Sequence, residues 1–243
     1  METYEREIKI YDDDVGSVAY VQHMGSDITI VNSARVSFGV QKSSLDGRDK
    51  RLIDYLIKHK HTSTLEHNVV TFKFVVPLFV RSQHHRHRTW SYNEISRRYT
   101  DKDLQFYEPG KFRTQHKSNR QASNSKELIN PNLSETYAHS LVPPAVWYAS
   151  DAMKEHHNRS LRLYKQLLKA GVCREQARGV LPQNLYTEYY GTVNLNNLLK
   201  FVSLRTHEGA QWEIQQTAKA VLDIAMDLWP VAINSYRNIR GGV

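Results

Sequence analysis

The densest run of chemistry-bearing side chains is Arg81-Ser-Gln-His-His-Arg-His-Arg-Thr-Trp-Ser-Tyr-Asn-Glu-Ile-Ser-Arg-Arg-Tyr99, where guanidinium, imidazole, hydroxyl and amide groups crowd around one carboxylate, Glu94. On a helix, Arg81, His84, His85 and Arg88 fall three or four apart and share a side, with Gln83 and His87 in a neighbouring row. Like charges so placed repel, so the pattern calls for an anion, and the planar fork of arginine binds phosphate through two hydrogen bonds. Two other readings stand beside phosphate binding. A basic surface without a ligand would carry scattered Lys and Glu, not Arg and His followed by Ser91, Asn93, Glu94 and Ser96. A metal held by His84, His85 and His87 would be repelled by the adjacent arginines and lacks a carboxylate pair to complete its ligands, so no metal is expected. Ser96 as a nucleophile would need a positioned base, and no Ser-His-Asp arrangement supplies one.

Composition agrees with an anionic partner. Lys and Arg number 33 against 25 Asp and Glu, a formal charge of +8 with twelve His in reserve. That balance suits nucleic acid, a membrane surface or phosphorylated small molecules alike. Nucleic acid has some support from Trp90, Tyr92 and Tyr99 interleaved with Arg. It gives Glu94 no task, because a carboxylate beside a phosphate backbone is unfavourable. The stretch Met1 to Asp14 is charged and lacks the apolar run of a secretory signal, so export is not expected. The most apolar run, Asn68 to Val80, is broken by Lys73 and Pro77 and falls short of the roughly 18 residues of a membrane span. The lone Cys173 can neither form an intrachain disulfide nor contribute to a thiolate zinc site, which fits a reducing cytoplasm.

The elements that must position these residues follow from periodicity. Glu7 to Ile10 and Val18 to Val21 alternate as short strands, and Leu45 to Lys60 has Leu52, Tyr55 and Leu56 at helical spacing. Asn68 to Val76 reads as a strand with Val70, Phe72 and Phe74 on one face, and Pro77 then opens a helix towards Arg88. Between Glu108 and Pro144, Pro109-Gly110 and Asn130-Pro131-Asn132 break any steady period, so a loop or mobile insertion is expected around 109–142. Pro144 to Ala170 resumes a helix with an apolar stripe of Val146, Ala149, Met153, Leu161, Tyr164 and Leu168, and Gly171 is placed to end it. Cys173 to Leu181 reads as a short helix, Leu185 to Val193 as an aromatic strand and Leu195 to Thr206 as another helix, and Ala210 to Tyr236 closes the chain. The expected fold is mixed α/β (α+β), one domain over residues 1–243 with a mainly antiparallel sheet flanked by long helices. No Gly-x-Gly-x-x-Gly fingerprint occurs, which argues against a Rossmann fold.

Arg86-His87-Arg88, seven further residues and then Ser96, with Ser91-Tyr92-Asn93-Glu94 between and Arg98-Tyr99 after, resemble the signature of the flavin-dependent thymidylate synthases. Flanking segments agree: Ala34-Arg35-Val36-Ser37-Phe38, His61 through Glu66-His67, Ala177-Arg178 with Leu181-Pro182, Thr192-Val193-Asn194, Leu204-Arg205 and Gln211-Trp212-Glu213. The resemblance implies transfer of a methylene group from methylenetetrahydrofolate to dUMP. Hydride would come from reduced FAD recharged by NADPH, in a homotetramer with FAD at subunit interfaces. It implies FAD contacts from His61, Ser63, Arg86, His87, Arg88, Glu94, Asn194, Asn196 and Lys200. It implies dUMP contacts from Gln83, Arg86, Glu94, Ser96, Arg98, Arg178 and Arg205. Arg205 is the catalytic candidate, a guanidinium that would stabilise negative charge developing on the pyrimidine. Its plainer role is a cation at a helix C-terminus. Cys173 lacks the Pro-Cys-Gln context of the cysteine-dependent thymidylate synthases and reads as structural. The pattern departs from many relatives at Asn196, Lys200, Gly209 and His84-His85, and a flavoprotein that oxidises NADPH without making dTMP is the rival reading.

Overall fold

Alternating residues near the N-terminus pair as strands β1 (Glu7–Lys9) and β2 (Ser17–Met24), which run antiparallel with Ile8 opposite Val18. The computed structural model describes residues 6–120, 122–134 and 146–240. The described residues divide between two compact units, one built from Met1–Val75, Gln83–Asn93 and Glu188–Val243 and the other from Val76–Ser82 and Glu94–Thr187.

In the first unit, β2 leads through Gly25 into α1 (Asp27–Arg35), whose N-terminus is closed by reciprocal bonds between Ser26 and Thr29. Helix α2 (Gly47–Lys58) follows, its N-cap Asp46 accepting from the backbone of Arg48 and Asp49. Strand β3 (Val69–Pro77) pairs antiparallel with β2, and Val70, Phe72 and Phe74 are fully buried on the face that period-two spacing predicted. The sheet order is β1-β2-β3-β7-β4, where β4 is Ser91–Glu94 and β7 is Tyr186–Asn194. Asn194 caps α6 (Leu195–Arg205) by accepting from Asn197 N–H, and α7 (Trp212–Leu228) and α8 (Pro230–Arg240) complete the unit.

Helices α7 and α8 are separate elements. Pro230 cannot continue the hydrogen-bond ladder of α7 but starts α8 readily. The orphan N–H groups of Val231 and Ala232 are met by the buried carboxylate of Asp27, at 2.9 and 3.0 Å, from α1. Burial raises the Asp27 carboxyl above its ordinary value, against the pull of those two donors.

Gly25 is held by the same core. Its φ is +85°, and a Cβ there would lie 2.3 Å from Oδ1 of Asn68, which accepts from the indole N–H of fully buried Trp229 at 3.0 Å. Gly25→Ala is therefore expected to lower unfolding free energy by about 2–3 kcal/mol in urea titration, from left-handed strain plus loss of the Asn68–Trp229 geometry.

In the second unit, α3 (Leu78–His84) starts after Pro77 as expected but stops at His84, and its residues from Gln83 on belong to the first unit. The polar segment after Glu108 is not wholly loop: β5 (Phe112–Gln115) and β6 (Ser123–Ile129) form an antiparallel pair. Mainly polar, exposed strands leave little apolar period to read. Residues 121 and 135–142 of that expected insertion, and Pro144, lie outside the described residues. Helix α4 (Ala149–Lys169) ends before Gly171, whose φ is +88°. Its buried stripe is Ala152, His157, Ser160 and Tyr164. Of the expected stripe only Tyr164 is buried, because His157 finds partners in the Glu108 carboxylate at 2.8 Å and the Phe106 ring at 4.7 Å. Val146 precedes the helix and is exposed. Helix α5 (Arg174–Ala177) and a 3-10 turn over Arg178–Val180 occupy the span expected as one short helix. Among the described residues no helix is long and apolar enough to cross a membrane.

Candidate active site

Residues far apart in sequence converge in the second unit. A cavity of about 680 Å³ is lined by Arg81 and Ser82 of α3, by Glu94, Ser96, Arg97 and Arg98, and by Arg178 and Thr187. Four arginines against one carboxylate leave three formal positive charges in this concave surface. Glu94 is already engaged: Arg81 Nε lies 3.0 and 2.9 Å from its two oxygens, Arg81 Nη2 lies 2.7 Å from Oε2, and Thr187 Oγ1 donates to Oε1 at 2.7 Å. Arg97 is committed to the carbonyls of Lys102 and Tyr186. Arg98 reaches the Tyr99 hydroxyl at 2.9 Å and sits over that ring. Arg178 is exposed, and its guanidinium has no hydrogen-bond or ion-pair partner among the described residues. The cavity therefore keeps Arg178 and the unused donors of Arg98 for an anion. Of the sequence candidates it gathers Glu94, Ser96, Arg98 and Arg178. It adds Arg81, read from sequence only as part of the basic cluster, and Thr187, which carried no signal inside an aromatic strand.

The first unit holds the rest of the basic run, arranged otherwise than as one helical face. Because α3 ends at His84, only Arg81 and His84 of the expected row are helical, and His84 turns into the core. It is fully buried, its Nδ1 is 2.8 Å from the Tyr189 hydroxyl, and the rings of Trp90, Phe201 and Phe74 lie 4.5, 4.6 and 4.8 Å away. Burial pushes its pKa well below the ordinary histidine value, so His84 is a neutral core residue and contributes no repulsion. His85 stacks on Tyr92 at 4.1 Å, and the Tyr92 hydroxyl donates to the His84 carbonyl at 2.8 Å. Arg86 and Arg88 are exposed, with no side-chain partner among the described residues.

Arg205, the last residue of α6, donates from Nε to His87 Nε2 at 3.0 Å and from Nη2 to the Gln83 carbonyl at 3.1 Å. This pairing makes His87 an acceptor, hence neutral with its proton on Nδ1. Burial first, and the Arg205 charge second, hold His87 down to about 4. An imidazole that resists protonation when folded, while the unfolded chain titrates near 6.5, stabilises fully above pH 6.5 and loses that contribution as pH falls towards 4. Denaturant titrations are therefore expected to show stability falling between pH 6.5 and 4, with His84 acting in the same direction. In NMR the His87 ring is expected not to titrate between pH 7 and 5.

A second cavity of about 310 Å³ lies in the first unit, lined by Ile57, Leu65, Leu199, Tyr236 and Ile239 and by Lys58, Lys60 and Lys200. Asn196 and Lys200 both line it; Asn196 Nδ2 donates to Glu66 Oε1 at 2.9 Å. His61 and Ser63 do not line it, although Thr62 between them does. His61 offers its carbonyl to Thr64 and its ring to Tyr55, and Asn194 is the cap of α6. Lys58, Lys60 and Thr62 were not legible as site residues, since a charged helix end is usually a solvated one. Apolar side chains together with three lysines suit a ligand that joins an apolar portion to an anionic group. Among the described residues no group of three or more His, Cys, Asp or Glu is placed to hold a metal ion.

The described residues define a mixed α/β protein with cavities whose lining cations suit anionic ligands. Residues 20–231 match the family model described as thymidylate synthase complementing protein. A relative from Thermus thermophilus named flavin-dependent thymidylate synthase is 42% identical over 219 residues, covering 90% of this chain and 74% of that one. One of the same name from Thermotoga neapolitana is 39% identical over 217 residues, covering 89% and 88%. A solved structure of the UMP/dUMP methylase PolB from Streptomyces cacaoi, bound with 5-Br dUMP, superposes with a TM-score of 0.76 at 28% identity, covering 98% of this chain and 97% of that one. The chain belongs to the thymidylate synthase complementing protein family, the flavin-dependent thymidylate synthases.

Proposed function

We propose that this protein methylates dUMP to dTMP, with methylenetetrahydrofolate as carbon donor, FAD as the flavin, and NADPH as the reductant that recharges it. The observation that carries the reading is the convergence of Ser96, Arg98 and Arg178 on one cavity beside a carboxylate that is already neutralised. Ser96, Arg98 and Arg178 hold the nucleotide phosphate through charge-assisted bonds. Glu94, fixed by Arg81 and Thr187, accepts from a nucleotide or flavin donor. Gln83 and Arg86 complete the dUMP contacts. Arg205 donates to the pyrimidine and stabilises the charge that develops as C5 attacks the folate carbon, and its orientation is set in advance by His87 and the Gln83 carbonyl.

The flavin is held by Arg86, Arg88 and Lys200, with His61, Ser63, His87, Glu94, Asn194 and Asn196 supplying neutral or acceptor contacts. When bound and reduced it supplies the hydride that converts the transferred methylene to methyl. The enzyme works as a cytoplasmic homotetramer with FAD shared between subunits, and takes neither nucleic acid nor membrane as partner. The test is anaerobic incubation of protein and FAD with dUMP, methylenetetrahydrofolate and NADPH, with dTMP read by mass spectrometry and FAD omitted as control. FAD-dependent dTMP supports the reading; NADPH oxidation matched by reduction of the added FAD, without dTMP, would replace it with a flavoprotein that does not methylate dUMP.

A further inference from the structure

Glu213 and Gln211 lie beside Gln83 and are not among the proposed dUMP or flavin contacts. Glu213 is 3% exposed in the first turn of α7, where a carboxylate ordinarily serves the positive end of the helix. It does more here. Gln211 Nε2 donates to Glu213 Oε2 at 3.0 Å, and Gln83 Nε2 donates to Gln211 Oε1 at 2.6 Å. The direction of this chain follows from donor and acceptor chemistry. A carboxylate oxygen accepts, so Gln211 must turn its NH2 to Glu213; its carbonyl oxygen is then committed to Gln83, which must meet it with NH2. Each amide has only two ends, so fixing one end of the chain fixes the other. The backbone carbonyl of Gln83 also accepts from Arg205 Nη2, so the residue oriented by Glu213 is the one that holds the arginine.

We infer that Glu213, acting through Gln211, is a positioning residue that sets the orientation of the Gln83 amide, so that Gln83 meets the nucleotide as a hydrogen-bond acceptor. This rests on the reading of Gln83 as a dUMP contact. In that orientation one hydrogen of the Gln83 NH2 is committed to Gln211 and the carbonyl oxygen is the end turned to a donor on the nucleotide.

Glu213→Gln tests this at constant size. The new amide can turn either end to Gln211, so the chain loses its direction and Gln83 samples both orientations. The expected result is a KM for dUMP raised about tenfold with kcat within about twofold of wild type, because a wrongly facing amide leaves one buried bond unmade. A double-mutant cycle separates this from a general loosening of α7. Gln83→Ala should weaken dUMP binding, and adding Glu213→Gln to it should weaken binding no further. An unchanged dUMP affinity in Glu213→Gln, or an equal further loss in the Gln83→Ala background, would overturn the inference. The ligand-free protein provides an independent readout. The side-chain amide resonances of Gln83 should shift or double in Glu213→Gln, and unperturbed resonances would also overturn it. Wild-type protein that fails to bind dUMP would instead sink the nucleotide reading, with the amide resonances still deciding the relay.

Discussion

Arg205→Ala should lower dTMP formation at least about a hundredfold while leaving most of the bound flavin in place. The guanidinium is held by Nε on His87 and by Nη2 on the Gln83 carbonyl, and Nη1 has no partner among the described residues. Two internal bonds fix the plane and leave the outer edge of the fork as donors that need no reorganisation when charge develops on a substrate. Removing one such preorganised donor typically costs about 10²–10³ in kcat. Burial and the neighbouring Arg86 push the Arg205 pKa down from its ordinary value, which marks a cation kept at some cost where an anion would relieve it. Flavin should survive because Arg86, Arg88 and the lysine-lined cavity are untouched. Arg205→Lys should be nearly as slow as alanine, since an ammonium keeps the charge but cannot bond to His87 and Gln83 and still present an edge. Normal turnover in either variant would remove Arg205 from the chemistry and return it to a helix C-terminal cation.

Arg178→Ala should raise the KM for dUMP about thirtyfold with kcat nearly unchanged. In the second unit's cavity, Arg81 is spent on Glu94 and Arg97 on backbone carbonyls, so Arg178 is the cation with the most donors in reserve. A charge-assisted contact to phosphate contributes about 2 kcal/mol at a partly solvated site, which is about thirtyfold in affinity. The loss falls on binding because the phosphate keeps its charge through the reaction, so ground and transition states lose alike. Raising salt should weaken dUMP binding to the wild type more than to the variant. A KM unchanged by Arg178→Ala would mean the phosphate is held elsewhere.

The contrast between these two arginines shows what was legible. Both were candidates from the sequence, Arg178 beside Leu181-Pro182 and Arg205 after Leu204, but nothing in either neighbourhood distinguishes a committed guanidinium from a free one. The strand through Val70, Phe72 and Phe74, the helix through Leu52 and Leu56, and the end of α4 at Gly171 were readable because period and backbone conformation are local properties. The stretch 27–35 signalled no element: β-branched Ile28, Thr29, Ile30 and Val31 are poor helix signals. That stretch becomes α1 because the Ser26–Thr29 capping box closes its start, and Ile30 and Val31 are fully buried. The stripe of α4 was misplaced because burial of His157 depends on Glu108 and Phe106, which no helical period contains.

By itself, the sequence determined which chemistry was available, a run of arginines and histidines around Glu94 suited to an anion and a single cysteine unsuited to structural pairing, together with local elements such as β3 and α2. Only the tertiary structure decided how that chemistry is divided. His84 and His87, counted as potential cations in the chain, are neutral because Tyr189, Phe201 and Arg205, more than a hundred residues later, bury one and donate to the other. Ser96 and Arg98 become a site only when Arg178 and Thr187 line the same cavity. Charge state and convergence depend on desolvation and on contacts between distant segments, and local spacing carries no record of either.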